Sequence, residues 1–448
     1  MKFLKRLLIA IALLLLIAAV LPFFISLDDY IPRIEKEASA RLEQPVSIKS
    51  IKFAALPLPH LRIDGIAVGA TDEIKLGKVT VTPDLFSLLQ PTKVIRRIDI
   101  DSLALTRKAI DEIPAWITPK SPQQPPPFRV ESIRFNNALV DFGKTRLGPF
   151  NARVNLDAKG EPEDVSISTQ DGRLKAFLKP HKSEYLIDAS AKSWTLPVGP
   201  ALVFDELIIK GVATLDQVKL NEVSARLYGG TAVGKTTISW KKGLRLEGRF
   251  TLNRLELRQV APLLSPGTYV SGRLSAKPVF SAAAASADQL VAALRLETPF
   301  NVQNGALGGV DIHKAATSLI RQGTRGGETR FDELSGHLVM ERGSYRFTRL
   351  KIASGVLAAD GNVNISRTKE LSGRINAQVK LAGTSADVPL DVGGTLAAPL
   401  LYPTAGFIAG AAAGTAILGP GLGTTVGAKI GGWVENVFGR KGANQAKK

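Results

Sequence analysis

The feature that most constrains this chain is a period of two. Leu244, Leu246, Gly248, Phe250 and Leu252 alternate with Arg245, Glu247, Arg249, Thr251 and Asn253. Successive side chains of an extended strand point to opposite faces, so this order predicts a strand with one apolar and one polar face. The pattern recurs at Val154/Leu156/Ala158 and at Ile375/Ala377/Val379/Leu381, the latter set against Arg374, Asn376, Gln378 and Lys380. It is also present earlier, at Ile51/Phe53/Ala55, Val79/Val81, Ile98/Ile100 and Leu103/Leu105. The expected fold class is mainly β with a few short helices. A long sheet with one apolar face must hide that face by closing, by stacking or by holding something apolar. A sheet that curls without closing would offer a groove suited to acyl chains.

Three short helices are expected. Residues 28–43 place Ile31, Ile34, Ala38 and Leu42 on one stripe, with Pro32 in the first turn, where its missing N–H costs nothing. "SADQLVAAL" (286–294) and "DIHKAATSLIRQG" (311–323) read as two more, the second capped by Asp311 and stopped by Gly323. Residues 114–127 hold six prolines and read as an extended linker or edge segment.

The N-terminus is of another kind. Lys2, Lys5 and Arg6 precede an uncharged run of 19 residues, Leu7 to Ile25, and Asp28 and Asp29 follow it. At about 1.5 Å per residue a helix of that length comes close to spanning the roughly 30 Å hydrocarbon core. A cleaved signal peptide would carry a shorter apolar region and a small-residue cleavage site, whereas this run ends in "LPFFI". An uncleaved anchor is therefore expected, with the basic flank in the cytoplasm and the bulk of the chain translocated. In a diderm bacterium that places it on the inner membrane, facing the periplasm.

Lysine and arginine number 58 against 40 acidic residues, a formal charge of +18. Such a balance favours anionic partners. The basic residues are spread along strands rather than interleaved with aromatics, so nucleic acid is not expected and a membrane is. With no cysteine, the chain has no disulfide, thiolate metal site or cysteine nucleophile.

One motif argues for chemistry. "YGGTAVGKTTISW" holds Gly229, Gly234, Lys235 and Thr236 in the spacing of a phosphate-binding P-loop. Such a loop must open a helix, whose N-terminus and neighbouring N–H groups hold the phosphates. Thr237, Ile238, Ser239 and Trp240 read instead as strand, and no apolar run ending in Asp follows to hold magnesium. The match is judged false, a Gly-rich turn between strands, and no cofactor is expected. His60, His181, His313 and His337 form no metal-ligand pair, and no catalytic pair of carboxylates stands out. Nothing here makes a case for an enzyme.

The C-terminal tail is distinct. From Val392 to Ala428 there is no charge, and Gly406, Gly410 and Gly414 are four apart, a spacing that lets apolar helices approach closely. Pro420 would break such a helix. "KIGGWVENVFG" then places Ile430, Trp433, Val434, Val437 and Phe438 on one face, ahead of Arg440 and Lys441. An amphipathic helix with aromatic anchors and a basic end is suited to a membrane interface. The alternative is a Gly/Ala-rich hairpin packed on the protein itself.

Several stretches resemble the AsmA family of inner-membrane-anchored periplasmic proteins. They are the anchor with "SLDDYIPRIEKEASARLEQPVSIKSIKFAALPLPHLRIDGIAVG", "FNVQNGALGGVDIHKA" (300–315), "TRFDELSGHLVMERGSYRFTRLKIASGVLAADGNVNIS" (329–366) and "PLDVGGTLAAP" (389–399). The resemblance implies an elongated, curled antiparallel sheet forming an apolar groove of the bridge-like lipid transfer type. It implies phospholipids as partners, handled or moved between inner and outer membranes in support of outer-membrane biogenesis, without catalysis. The organisation expected is an anchor (1–27), an N-terminal helix and strands (28–116), a Pro-rich linker (117–128), a β-rich groove region (129–295), a C-terminal region (296–400) and the apolar tail (401–448), which would meet a second membrane or a membrane protein. Leu244, Leu246, Phe250 and Leu252 share an apolar face that lines either a groove or a closed core. Rival readings are an assembly factor for outer-membrane proteins that binds by strand pairing without lipid, and a periplasmic glycan or surface-polymer factor.

Overall fold

The structure is a computed structural model. It describes residues 27–54, 58–106, 108–109, 128–141, 146–197, 199–241, 243–264, 269–285, 287–290, 292–318, 324–381, 384–418 and 428. The anchor segment Leu7–Ile25, most of the proline-rich stretch, and Pro420, Trp433 and Phe438 lie outside these residues. No helix among the described residues is long and apolar enough to cross a membrane. The chain divides into two units, Met1–Lys192 and Ser193–Lys448. The division falls inside the expected 129–295 region rather than at the prolines.

The first unit is a sheet of β1 (Val46–Ala54), β2 (His60–Val68), β3 (Ile74–Pro83), β4 (Lys93–Thr106), β5 (Phe128–Val130), β6 (Ser132–Asp141), β7 (Arg146–Leu156), β8 (Pro162–Thr169), β9 (Leu174–His181) and β10 (Glu184–Thr195). Consecutive strands pair antiparallel from β1 to β4 and from β6 to β10. At one place the sheet departs from the antiparallel order expected: β4 runs parallel to β5 and β6, with Ile98 beside Ile133 and Ile100 beside Phe135. Parallel neighbours need a crossover from one end of the sheet to the other. In the sequence, the six prolines fall between β4 and β5.

The apolar stripes align across these strands: Ile51 faces Ile63, Ile63 faces Val79, Val79 faces Ile100, and Ile100 faces Phe135. Bulges keep them aligned. The β6–β7 register shifts between Phe135 and Ala138, where Asn137 adopts a positive φ. An extra residue absorbed there returns the next apolar side chain to the same face.

The outer edge of β1 is covered by α1 (Ile31–Leu42) through side chains rather than by another strand. The N–H groups of Val46, Ile48 and Ile51 donate to Ser39 Oγ at 2.9 Å, Glu35 Oε1 at 2.7 Å and Asp28 Oδ1 at 3.1 Å. An exposed row of N–H groups is a template for pairing with another chain, and these three acceptors occupy it. The helix thus turns a polar stripe to the sheet edge. Ile34, expected on the packed apolar stripe, is 42% exposed.

Glu73 is the buried carboxylate of this unit. It accepts from Lys108 Nζ at 2.6 Å and from the N–H and hydroxyl of Thr71, each at 3.0 Å. A Cβ on Gly69, whose φ is +98°, would collide with the Glu73 carboxylate, so this turn requires glycine. The Lys108 hydrogen bond, aided by backbone N–H groups, pushes the carboxyl from its ordinary 4.5 down to about 2.

The second unit holds β11 (Val203–Ala213), β12 (Gln217–Leu227), β13 (Gly230–Ser239), β14 (Leu244–Glu256), β15 (Val270–Ala276), β16 (Val279–Ala284), β17 (Arg295–Gly308), β18 (Glu328–Glu341), β19 (Ser344–Ala353), β20 (Leu357–Ile365), β21 (Leu371–Leu381), β22 (Thr384–Thr395) and β23 (Ala398–Pro403). It is an antiparallel meander with one insertion. β15 and β16 lie end to end between β14 and β17, each pairing with both. Short helices α2 (Leu257–Leu264) and α3 (Ala287–Leu290) border that place, and α4 (Ile312–Thr317) and α5 (Ala405–Leu418) follow. Asp311 caps α4, its carboxylate accepting from Lys314 N at 2.8 Å, and the helix ends at Thr317, earlier than Gly323. α3 is likewise shorter than 286–294.

Two outcomes test this reading. The Glu73 folded value lies below its ordinary one, so its contribution to stability is full above about 4.5 and is lost as pH falls toward 2. Glu73→Gln is therefore expected to melt below the parent at neutral pH, and the gap to close across that window. Replacing Glu35 and Ser39 together by Ala frees two N–H groups of β1, and self-association by sedimentation is expected to rise.

Candidate functional site

The apolar face of the second unit is continuous from β11 to β23, and its cover changes along the way. At the β20–β23 side it is sealed. Ile312, Ala315 and Ala316 of α4 and Phe407 and Ala411 of α5 are buried in one cluster with Ala377, Val379, Val388 and Leu390. Thr404, fully buried, caps α5 by accepting from Phe407 N and anchors the chain by donating its own N–H to Pro389 O. Gly406 and Gly410 lie beside the packed face of α5, half-buried, and Gly414 is one turn further on.

Over β11–β16 Leu207, Val223, Ala225, Ala232, Ala276 and Ala282 are buried on the same face, while the larger side chains of β14 are half-buried. Leu244, Leu246, Phe250 and Leu252 stand together on β14, where Leu246 faces Ile238 and Ala282, and Leu252 faces Ala232 and Ala276. The Phe250 ring lies over Gly234, 2.6 Å from where a Cβ there would be, and stacks on Phe280 with ring centroids 6.0 Å apart. Phe280 in turn covers Gly248, its direct neighbour across the strands. Phe331 over Gly305 and Phe300 beside Gly336 repeat the arrangement further along. A ring laid over a glycine keeps the floor apolar while leaving it low. Bare strand alternation gave no sign of this ring packing. The order Gly248, Phe250 and the facing Phe280 would have revealed it only once the register was known.

The P-loop spacing dissolves in this geometry. Tyr228 and Gly229, both with positive φ, make a two-residue hairpin turn between Leu227 and Gly230. Gly234, Lys235 and Thr236 lie in mid-strand opposite Phe250, Arg249 and Gly248. The Thr236 hydroxyl donates to Glu247 O at 2.8 Å. The turn is thus shorter than the motif, and no helix follows Thr236. Lys235 stands on the polar face, across from Arg249.

The polar face carries ordinary ion pairs, such as Arg374–Asp391 at 2.9 Å and Arg226–Glu206 at 2.6 Å. His313 is exposed on α4, and His337 pairs with Glu297 at 2.9 Å. Among the described residues, no three His, Asp or Glu side chains are grouped to hold a metal ion. What the second unit presents is an apolar floor, closed at one side by helices and accessible over β11–β16.

Gly248→Ala would drive a methyl group into the Phe280 ring and is expected to cost about 1–3 kcal/mol in chemical denaturation. Adding Phe280→Leu should recover part of that loss if the ring is the obstacle.

No protein-family profile, no curated protein and no solved structure matches this chain.

Proposed function

We propose that this chain is an AsmA-like protein that carries phospholipid acyl chains on the apolar face of its sheet, with headgroups left in water. The observation that carries this reading is the contrast along one face. α4 and α5 seal β20–β23, whereas Leu244, Leu246, Phe250 and Leu252 remain half-buried over a floor of Ala, Gly and Leu. An apolar surface that the described residues leave half-buried suits an apolar ligand. Each methylene laid against it contributes about 0.8 kcal/mol, enough over an acyl chain to offset leaving a bilayer without any covalent step. The uncharged run Leu7–Ile25 and the formal charge of +18 support anchorage in an anionic membrane, in this reading the inner membrane with the bulk in the periplasm. Phospholipid handling between the two membranes, in support of outer-membrane biogenesis, is the function that joins these features.

The reading is tested by placing a photoreactive benzoylphenylalanine at Leu246 or Leu252 and, on the opposite face, at Arg245 or Asn253, in cells with radiolabelled phospholipid. Phospholipid adducts are expected from the first pair of positions alone. Adding Leu246→Asp to the Leu252 probe should abolish its adduct in a chain that still folds. Equal labelling from both faces, or none from either, overturns lipid carriage.

A further inference from the structure

The turn between β3 and β4 has its polarity reversed. Residues Leu85–Leu89, "LFSLL", form a single 3-10 helix. Phe86 is 84% exposed and Leu89 94%, while Ser87 is buried. Exposure here does not come from a loose loop. Asp84 accepts from Phe86 N at 2.9 Å and is held from the other side by Arg96 at 2.9 Å. The Ser87 hydroxyl donates to Asp84 O at 2.7 Å and accepts from Val94 N at 2.8 Å, fastening the turn to the start of β4. Asp84 and Ser87 are used inward while two large apolar side chains are held outward.

The register places other exposed apolar groups at the same end of the sheet. β1 ends at Ala54 opposite His60, β3 ends beside the start of β4, and Lys93 pairs with Phe128. Leu58, in the turn after β1, and Phe128, at the start of β5, are therefore at this end with Phe86 and Leu89, and both are exposed. The chain also enters here. Asp28 is bonded to the N–H of Ile51, three residues before β1 ends, which places Leu27 toward this end. Lys52, Arg62, Lys93 and Arg129 stand on strand ends running to the same edge, Arg62 paired with Asp64 at 2.8 Å and Arg129 with Glu131 at 3.1 Å.

From this juxtaposition we infer that this end of the first unit rests in the interfacial layer of an anionic phospholipid bilayer, with Phe86 and Leu89 inserted below the headgroups. Large apolar side chains on a fixed turn, flanked by cations, match the apolar-over-basic layering of a membrane interface. In the anchored reading, the run Leu7–Ile25 ends two residues before Leu27 in the sequence and brings this end of the unit to the bilayer. This inference rests on the anchored reading of Leu7–Ile25 and adds a second contact to it.

The chain contains no cysteine, so Phe86→Cys, Leu89→Cys and Gln170→Cys each give one site for a nitroxide spin label. Gln170 lies in the β8–β9 turn at the opposite end of the sheet. The full chain is reconstituted into vesicles of phosphatidylcholine with a minority of phosphatidylglycerol, and each label's collision rates with oxygen and with a water-soluble nickel chelate are compared. Labels at 86 and 89 are expected to show an oxygen-to-chelate ratio several-fold above that at 170. If the chain floats with the vesicles yet all three labels meet the chelate equally, the interfacial turn is overturned and the anchor stands. Labels at 86 and 89 shielded from both quenchers would mean that protein covers the turn, which also overturns it. A chain that does not float overturns the anchor and this inference together.

Discussion

The structure depends on one constraint: a sheet whose strands are apolar on one face only must cover that face along its whole length. A short sheet does so by stacking against a partner layer. Here each unit instead extends sideways strand by strand, and extension adds apolar surface as fast as backbone hydrogen bonds. In the second unit α4 and α5 bring Ile312, Phe407 and Ala411 onto Val388 and Leu390, and α2 buries Val260 and Ala261 beside β15. In the first unit, α1 and the turn before it lie along the β1 edge through Ser39, Glu35 and Asp28, their polar side chains set on the N–H row. The β1 edge is thus guarded, while on the apolar face of β14 Leu244, Leu246, Phe250 and Leu252 are left half-buried.

Keeping that face continuous over so many strands needs local corrections. Right-handed strand twist and uneven strand lengths push the stripes out of alignment, and single-residue bulges restore them. Arg254 and Arg349 adopt positive φ where the β14–β15 and β19–β20 registers shift, so Leu255 and Leu350 return to the apolar side. The glycines beneath Phe250, Phe280 and Phe331 are the complementary device. They give the rings room to lie flat along the sheet, so the floor stays apolar without filling the space above it.

How much of this was legible follows from range. Strand identity is local, and the alternation from Leu244 to Leu252 states it directly. The bulges are half-legible: "LNRLE" and "FTRLKI" show two polar residues where one is due, which marks a skipped step once the strand is known. The parallel pairing of β4 with β6 was out of reach, because it depends on a connection of some twenty residues whose ends meet only in the fold. The P-loop spacing was rejected on local grounds, yet the turn was placed too broadly: only Tyr228 and Gly229 turn, and Gly234 is under a ring in mid-strand. For the tail, composition could not say whether an apolar helix seeks lipid or its own sheet. Phe407 and Ala411 lie against the sheet because Thr404, bonded to Pro389, fixes where α5 begins.

The turn at Leu85–Leu89 shows why burial patterns carry more than hydropathy. By composition "LFSLL" is simply an apolar run after a strand, of the sort that usually folds inward. What distinguishes it is that Ser87 is the residue inside, bonded at both its oxygen and its neighbours, while Phe86 and Leu89 are held outside. Such an arrangement gains the Ser87 and Asp84 hydrogen bonds but gives up the burial of two large apolar side chains. The partner inferred for that surface is a bilayer, and the end of the sheet that bears this turn is the one toward which Leu27 lies.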